Sequence, residues 1–183
     1  MRPIRCAQPR NDIDDKVHMT RTIIVFAAAL TLAAPAAAQE GGEVVLTLDG
    51  EEVVFPLWES QSDWSGGAGP WASINIYARP TDPEAWERYK TFTLGFSGTE
   101  NAGSPEASLS RMQGEAVQRL HSDDEAGSLA VSLDGASVEG EFLTLSGTVS
   151  GAFGPSDNFG RDIDMSDPVP IEGRFSVTLG PVE

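Results

Sequence analysis

The sequence predicts an all-β fold, an antiparallel β-sandwich of about eight or nine strands, with a small β-barrel as the alternative architecture. Three observations predict it: short segments alternate apolar and polar residues, Gly, Asp and Pro turns separate them at near-regular spacing, and only one segment has a helical pattern. Such spacing is typical of sandwiches and barrels. We favour the sandwich because the chain has loops long enough to cross between two sheets.

The clearest local signal is a β-hairpin near the start of the β-rich region. Segments 43–48 and 51–55 are rich in β-branched and apolar residues and flank Asp49-Gly50, a pair that tolerates the positive φ angles of a type I′ turn. The same pattern recurs later, where alternating apolar residues precede Asp134-Gly135. We therefore expect a hairpin turn at each Asp-Gly pair.

Further strands are predicted by the same alternation. WASINIYA places Ala72, Ile74, Ile76 and Ala78 on one face, and the remaining strand segments are 91–98, 106–112, 115–121, 141–153 and 171–179. Glycines in segment 141–153 indicate a bulge or a bend.

One segment, TDPEAWERYK, predicts a short helix near 83–89. Asp82 is a suitable N-cap and Pro83 suits the first helical position. Glu84 and Arg88 are spaced i to i+4, which allows an ion pair along the helix. The helix is expected to close a loop over one end of the core.

The amino-terminal region predicts a cleavable export signal. Read from Met19, it has Arg21 as a positive flank, an apolar run over 23–34 and an A-x-A site that ends at Ala38. The apolar run is too short to span a bilayer. We expect residues 1–18 to be an upstream extension from a mis-assigned start, 19–38 to be the signal peptide, and 39–183 to form a single β-sandwich domain, periplasmic or secreted.

Cleavage after Ala38 changes the composition of the working protein. The leader holds five of the 12 basic and three of the 28 acidic residues, which leaves 7 basic and 25 acidic residues and a net charge of −18. Such a surface argues against nucleic acid and anionic lipid as partners, and no membrane span is expected in the mature chain. Cys6 also leaves, so cysteine chemistry is excluded from the exported protein.

An aromatic segment over 58–89 is the main candidate for ligand binding. All four tryptophans lie there, and the candidate residues are Trp58, Trp64, Trp71, Tyr77 and Trp86. Exposed rings stack on sugars or hold an extended polymer, whereas buried rings fill a core. We expect Trp58 and Trp64, in a polar glycine-rich stretch, to be partly exposed, and Trp71 and Trp86 to pack. A glycan or an envelope protein is the expected partner.

The loop over 154–170 is rich in oxygen donors. It contains Asp157, Asn158, Asp162, Asp164 and Asp167, which are ligand types that calcium prefers. The EF-hand order is not present in this loop, and Asp and Asn also favour turns for their own sake. Calcium binding, in a calcium-stabilised adhesion-type module, is therefore one hypothesis beside a simple acidic loop.

Catalysis is the remaining class of function. His121, the single histidine after the leader, is followed by Ser122 and acidic residues, but a catalytic triad is recognised by geometry and not by adjacency. A glycosidase needs only two placed carboxylates, which so acidic a chain neither supports nor excludes. The sequence favours a non-catalytic binding module, with a structural or accessory envelope protein and a small hydrolase as alternatives.

Overall fold

The computed structural model describes residues 41–67 and 71–182, so the predicted leader lies outside the described residues. The elements are β1 (Gly41–Leu48), β2 (Glu51–Pro56), a 3-10 turn (Glu59–Gln61), β3 (Asp63–Trp64), β4 (Ser73–Ala78), α1 (Pro83–Arg88), β5 (Tyr89–Ser97), β6 (Gly103–Gln113), β7 (Ala116–Asp123), β8 (Ala130–Glu139), β9 (Phe142–Pro155) and β10 (Val169–Leu179). Over these ranges, no helix has the length and apolar character needed to cross a membrane.

The strands form one continuous antiparallel sheet that is curled. Strands β2, β1, β10, β9 and β8 lie side by side and make the first half-sheet, and β7, β6, β5, β4 and β3 make the second. The end of β9 joins the halves, because Pro155 and Gly154 pair with Leu120 and His121 of β7. The predicted all-β antiparallel class with one short helix is confirmed, with ten strands in the described part of the chain.

A single hydrophobic cluster lies between the inner faces of the two half-sheets. The predicted alternation holds in β4, where Ile74 and Ile76 are fully buried. Aromatic rings connect the halves: Phe55 of β2 lies 6.1 Å from Phe92 of β5, and Phe96 of β5 lies 6.3 Å from Phe175 of β10, measured between ring centroids. Burial of these side chains supplies the main driving force for folding.

The two predicted Asp-Gly turns have different outcomes. Asp49 and Gly50 connect β1 and β2 with φ angles of 53° and 83°, as a type I′ turn requires. The turn predicted at Asp134-Gly135 is wrong, because β8 continues through it with a register shift between Leu133 and Gly135 against β9. The chain reverses instead at Gly140, whose φ is 63°. Pairing with β9 thus overrides the local turn preference.

Helix α1 forms where its capping residues predict it. The Asp82 carboxylate accepts a hydrogen bond from the Ala85 N–H at 2.9 Å, and Pro83 occupies the first helical position. Arg88 does not follow the spacing expectation. It pairs with Glu51 of β2 at 2.8 Å rather than with Glu84. The helix is therefore attached to the first half-sheet by an exposed ion pair.

Candidate functional site

The structure corrects the expected exposure of three of the four tryptophans. Trp64 is 3% exposed, and its indole N–H donates to the Glu141 carbonyl at 3.0 Å. It packs in the core because β3 pairs with β4 and turns the ring inward. Trp71, expected to pack, is 90% exposed. Trp64 therefore fixes the fold, and Trp71 is available at the surface.

Trp58 and Trp86 each carry a cation against the ring. The Arg79 guanidinium lies 4.3 Å from the Trp58 ring, and the Lys90 ammonium lies 4.7 Å from the Trp86 ring. Trp58 is half-buried, and Trp86 is 43% exposed, whereas packing was expected. Each cation covers part of one ring face and holds the side chain in place.

The aromatic segment does not form one continuous surface. Trp71 precedes β4 and Trp86 follows it, and a six-residue strand is about 20 Å long. Only Trp58 and Tyr77 are direct neighbours: the Trp58 N–H donates to the Tyr77 carbonyl at 2.7 Å. Of the five predicted ligand-binding residues, these two alone are brought together by the sheet.

Trp58 and Tyr77 begin a row of side chains that crosses the outer face of the second half-sheet. Tyr77 pairs with Thr93, Thr93 with Ser108, and Ser108 with His121. Directly paired residues of antiparallel strands point to the same face. We call this set the aromatic row; its members are Trp58, Tyr77, Thr93, Ser108 and His121.

A second row lies beside the first on the same face, two residues further along each strand. Asp63 pairs with Asn75, Asn75 with Gly95, Gly95 with Glu106, and Glu106 with Asp123. We call this set the acidic row; its members are Asp63, Asn75, Gly95, Glu106 and Asp123. The Asn75 amide donates to the Asp63 carboxylate at 2.7 Å, which fixes the orientation of both side chains.

A groove of about 250 Å³ follows the two rows from Tyr77 and Asn75 onwards, and Trp58 and Asp63 lie outside its lining. Gly95 lines the groove at a point where the strand has no side chain of its own. A Cβ atom at Gly95 would lie 3.3 Å from the Glu106 side chain, which leans over the gap. Thr93 and Ser108 form the floor, with their hydroxyl groups 2.8 Å apart. The loop after β9 borders the groove with Phe159 and Gly160.

Two acidic residues of the groove are paired across neighbouring strands. Glu106 and Asp123 are direct cross-strand partners, and like charges in this position destabilise a sheet. Among the residues that the structure describes, the ion pairs are Arg88 with Glu51 and Arg174 with Glu52, so neither groove carboxylate is paired with a cation. Asp123 accepts the backbone N–H groups of the following turn. The groove therefore has a negative potential.

His121 lies at one end of the groove beneath the loop that follows β9. Its Nε2 atom is buried and has no hydrogen-bond partner among the described residues, and a Cβ at Gly160 would lie 3.0 Å from Nδ1. Burial lowers the pKa of His121, Arg119 lowers it further, and Glu106 opposes them. Its surroundings therefore favour the neutral ring over the protonated one.

The strand geometry separates His121 from the serine next to it. Ser122 is 2% exposed and faces the core, because adjacent residues of β7 point to opposite sides of the sheet. The serine opposite His121 on its own face is Ser108, whose hydroxyl is bonded to Thr93. The neighbours His121 and Ser122 therefore do not form a catalytic pair.

The predicted calcium loop is held together by its own hydrogen bonds. Asn158 accepts the Asp162 N–H at 2.9 Å and donates its amide to the Asp162 carboxylate at 2.5 Å. The Asp164 carboxylate accepts hydrogen bonds from Ser166, which lower the pKa of Asp164. Within residues 41–67 and 71–182, no three acidic or histidine side chains converge as a metal site requires. Calcium binding by Asp157, Asn158, Asp162, Asp164 and Asp167 stays a prediction.

Comparison with known proteins gives no relative: no family model matches the chain, and neither a characterised protein nor a solved structure matches it. The geometry of the groove is therefore the basis for a functional argument. Sequence reasoning missed Gly95, Glu106 and Phe159 as groove residues. The outward positions of the predicted strands were a signal for the first two, but strand order and register were needed to bring them together.

Proposed function

We propose that this chain is an exported, non-catalytic binding module of the cell envelope whose ligand is a neutral or amino-substituted glycan. The observation that carries the proposal is the groove itself, in which the aromatic row and the acidic row lie side by side over Gly95. Export to the periplasm or the medium rests on the predicted signal peptide alone. The mature chain would present the groove to envelope or extracellular sugars.

The aromatic row supplies surfaces for sugar rings. Tyr77 is 39% exposed, so its ring combines an apolar body with a hydroxyl group that reaches solvent. Trp58, held by Arg79, lies beside it. A sugar has apolar C–H faces and polar edges, and rigid aromatic side chains bind such faces at a low cost in conformational entropy.

The acidic row and the groove floor supply hydrogen-bonding groups for the polar edges of a sugar. Glu106 is an acceptor, Thr93 and Ser108 each donate and accept, and Asn75 does both through its amide. The uncompensated carboxylates and the predicted mature charge of −18 disfavour an anionic polysaccharide. They favour hydroxyl donors or a protonated amine. An envelope protein with a basic segment is the alternative partner.

Filling the groove at Gly95 tests the proposal. We expect Gly95→Val to fold, because a β-branched residue suits a strand and the nearest atoms belong to the flexible Glu106 side chain. Gly135→Val in β8 is the matched control, since a Cβ there meets only a serine hydroxyl at 3.6 Å. Both variants and the wild type are applied to an array of neutral, amino-substituted and acidic glycans.

The expected result is glycan binding by the wild type and by Gly135→Val, and loss of binding in Gly95→Val with an unchanged melting temperature. Binding that survives in Gly95→Val would place the ligand elsewhere. If the wild type binds no glycan on the array, the proposal fails, and the accessory envelope protein without a specific ligand becomes the better account.

A second candidate function follows from the two acidic residues of the groove, Glu106 and Asp123, which are paired across neighbouring strands. Glycosidases place two carboxylates on either side of the scissile bond. Release of reducing ends from a bound oligosaccharide, and its loss in Glu106→Gln, would establish hydrolysis. A glycan that is bound for hours without cleavage would leave the binding module as the function.

A further inference from the structure

Phe159 is an aromatic residue that the stability of the fold does not explain. It is 81% exposed, so its ring buries little surface. Its φ angle is 61°, a left-handed conformation that residues other than glycine adopt at a cost in free energy. A glycine or an asparagine would fit this backbone better. Both the exposure and the conformation count against phenylalanine at this position.

A network of side-chain hydrogen bonds keeps Phe159 in this conformation. The Ser156 hydroxyl donates to the Asn158 side chain at 3.0 Å and accepts the Gly160 N–H at 2.8 Å. Asn158 is bonded in turn to Asp162. Hydrogen bonds from residues on both sides of Phe159 thus hold its backbone in this conformation. The acidic loop therefore has a mechanical role in presenting this ring.

The ring lies where the groove ends. Phe159 and Gly160 border the groove beside His121, and Phe159 also borders a second hollow that continues over Val117 and Arg119. Gly160 fits against the His121 ring, where a Cβ would be 3.0 Å from Nδ1. The close approach of Gly160 to His121 sets the loop, and with it Phe159, at the edge of β7.

We propose that Phe159 is a second stacking platform for the ligand of the groove, at the opposite end from Tyr77. This inference rests on the proposed glycan-binding function and extends it. Strained backbone that its surroundings hold in place is typical of ligand clamps. At Phe159 the strain is combined with an exposed ring at the mouth of a groove, which is the arrangement that a stacking residue needs.

The position of the two platforms indicates the size of the ligand. Tyr77 is on β4 and His121, beside Phe159, is on β7, so three strand spacings of about 4.8 Å, or about 14 Å, separate them. One sugar ring does not reach across this distance. We infer that the ligand class is an oligosaccharide that crosses the strands along the aromatic row, with rings stacked at both ends.

Titration with sugars of two lengths tests the role of Phe159. The probes are N-acetylglucosamine and its β-1,4-linked tetramer, and glucose and its β-1,4-linked tetramer, applied to the full mature chain. We expect Phe159→Ala to weaken tetramer binding about tenfold and to leave monosaccharide binding unchanged. Phe159→Trp should retain tetramer affinity, and its fluorescence should shift on binding.

Phe159→Gly separates recognition from folding. Relief of the left-handed strain should raise its melting temperature above that of Phe159→Ala, while tetramer binding is lost to the same extent. Equal tetramer affinity in wild type, Phe159→Ala and Phe159→Gly would overturn the role of Phe159 and leave the groove proposal standing, provided that Gly95→Val abolishes binding. A wild type that binds none of the four probes overturns the Phe159 proposal for β-1,4-linked neutral sugars, and a wild type that also binds nothing on the glycan array overturns both proposals.

Discussion

The outer faces of the two half-sheets differ, although their inner faces pack into the same core. On β9 and β10 of the first half-sheet, the outer face is a ladder of small hydroxyl residues. Ser146 pairs with Ser176, and the Thr144 and Thr178 hydroxyls are 3.0 Å apart. The charge of Arg174 on this face is paired with Glu52. Such a face has satisfied polar groups and a hydrated surface.

On the second half-sheet the outer face has the opposite properties. It carries Tyr77, an aromatic ring that is 39% exposed, and Gly95 has no side chain where the groove runs. Glu106 is paired across the strands with another acidic residue, Asp123. Folding requires only that one side of a sheet be apolar, so the outer side is free to vary. An exposed aromatic ring, a glycine within a strand and two paired acidic residues all lower the stability of a sheet. The outer face that carries them is therefore the better candidate for function.

The largest expected effect is on the shared inner face. Phe55→Ala and Phe92→Ala, one in each half-sheet, should each lower the free energy of unfolding by about 3–5 kcal/mol, because both side chains are fully buried. Their rings are in contact, so the double variant should lose less than the sum of the single losses. Chemical denaturation measures this. Strictly additive losses would mean that the half-sheets do not share this contact.

The next effect separates the two outer faces. Tyr77→Ala should weaken glycan binding about tenfold, or about 1.4 kcal/mol, because it removes a stacking ring. Val54→Ala on the first half-sheet is the matched control, since Val54 is 44% exposed against 39% for Tyr77. Calorimetric titration should show wild-type affinity for the control. An equal loss of glycan affinity in Tyr77→Ala and Val54→Ala would show that the ligand does not distinguish the two outer faces.

A smaller effect concerns the pH dependence of stability. Because burial, and then Arg119, lower the pKa of His121 from 6.5 while Glu106 opposes them, the unfolded chain takes up a proton at a higher pH than the folded one. The contribution of neutral His121 to the free energy of unfolding is therefore fully present above pH 6.5. It is lost as the pH falls from 6.5 towards the lower pKa of the folded protein.

His121→Gln, which does not titrate, checks this effect. Its denaturation midpoint should change less than that of the wild type between about pH 7.5 and pH 5.5, where most carboxylates stay ionised. The first half-sheet has no histidine, so its variant Val54→Ala should keep the wild-type pH dependence. The same acid sensitivity in all three proteins would show that His121 is not the group responsible.

The smallest expected effect is that of calcium on the loop between β9 and β10. Asn158 and Asp162 already bond to each other, so we expect the melting temperature to be equal in excess calcium and in chelator. A site saturated at a hundred times its dissociation constant would add about 2.7 kcal/mol. A rise in melting temperature that disappears in Asp162→Asn would restore the calcium hypothesis.

Sequence patterns predicted features that depend on neighbours along the chain. The positive φ of Asp49 and Gly50, the cap at Asp82 and the burial of Ile74 and Ile76 all follow from local geometry and alternation. Predictions from local sequence were wrong where pairing with another strand set the conformation. Gly135 continues a strand because β9 pairs with it.

Tryptophan exposure shows the same division. Polar, glycine-rich surroundings predicted an exposed Trp64, yet its ring lies in the core because β3 pairs with β4. Trp71 stands next to a strand with the right alternation, yet it lies just outside that strand and remains 90% exposed. A large ring is buried or exposed according to its distance from the core, which composition does not encode.

By itself, the sequence determined the all-β class, the short helix and the apolar face of β4, because these depend on periodicity and on neighbouring residues. The tertiary structure alone decided the strand order, which aligned Tyr77, Thr93, Ser108 and His121 across four strands. It also set Phe159 beside them. Residues far apart in the chain are brought together by cross-strand register, and register is fixed only when all the strands bury their apolar faces at once.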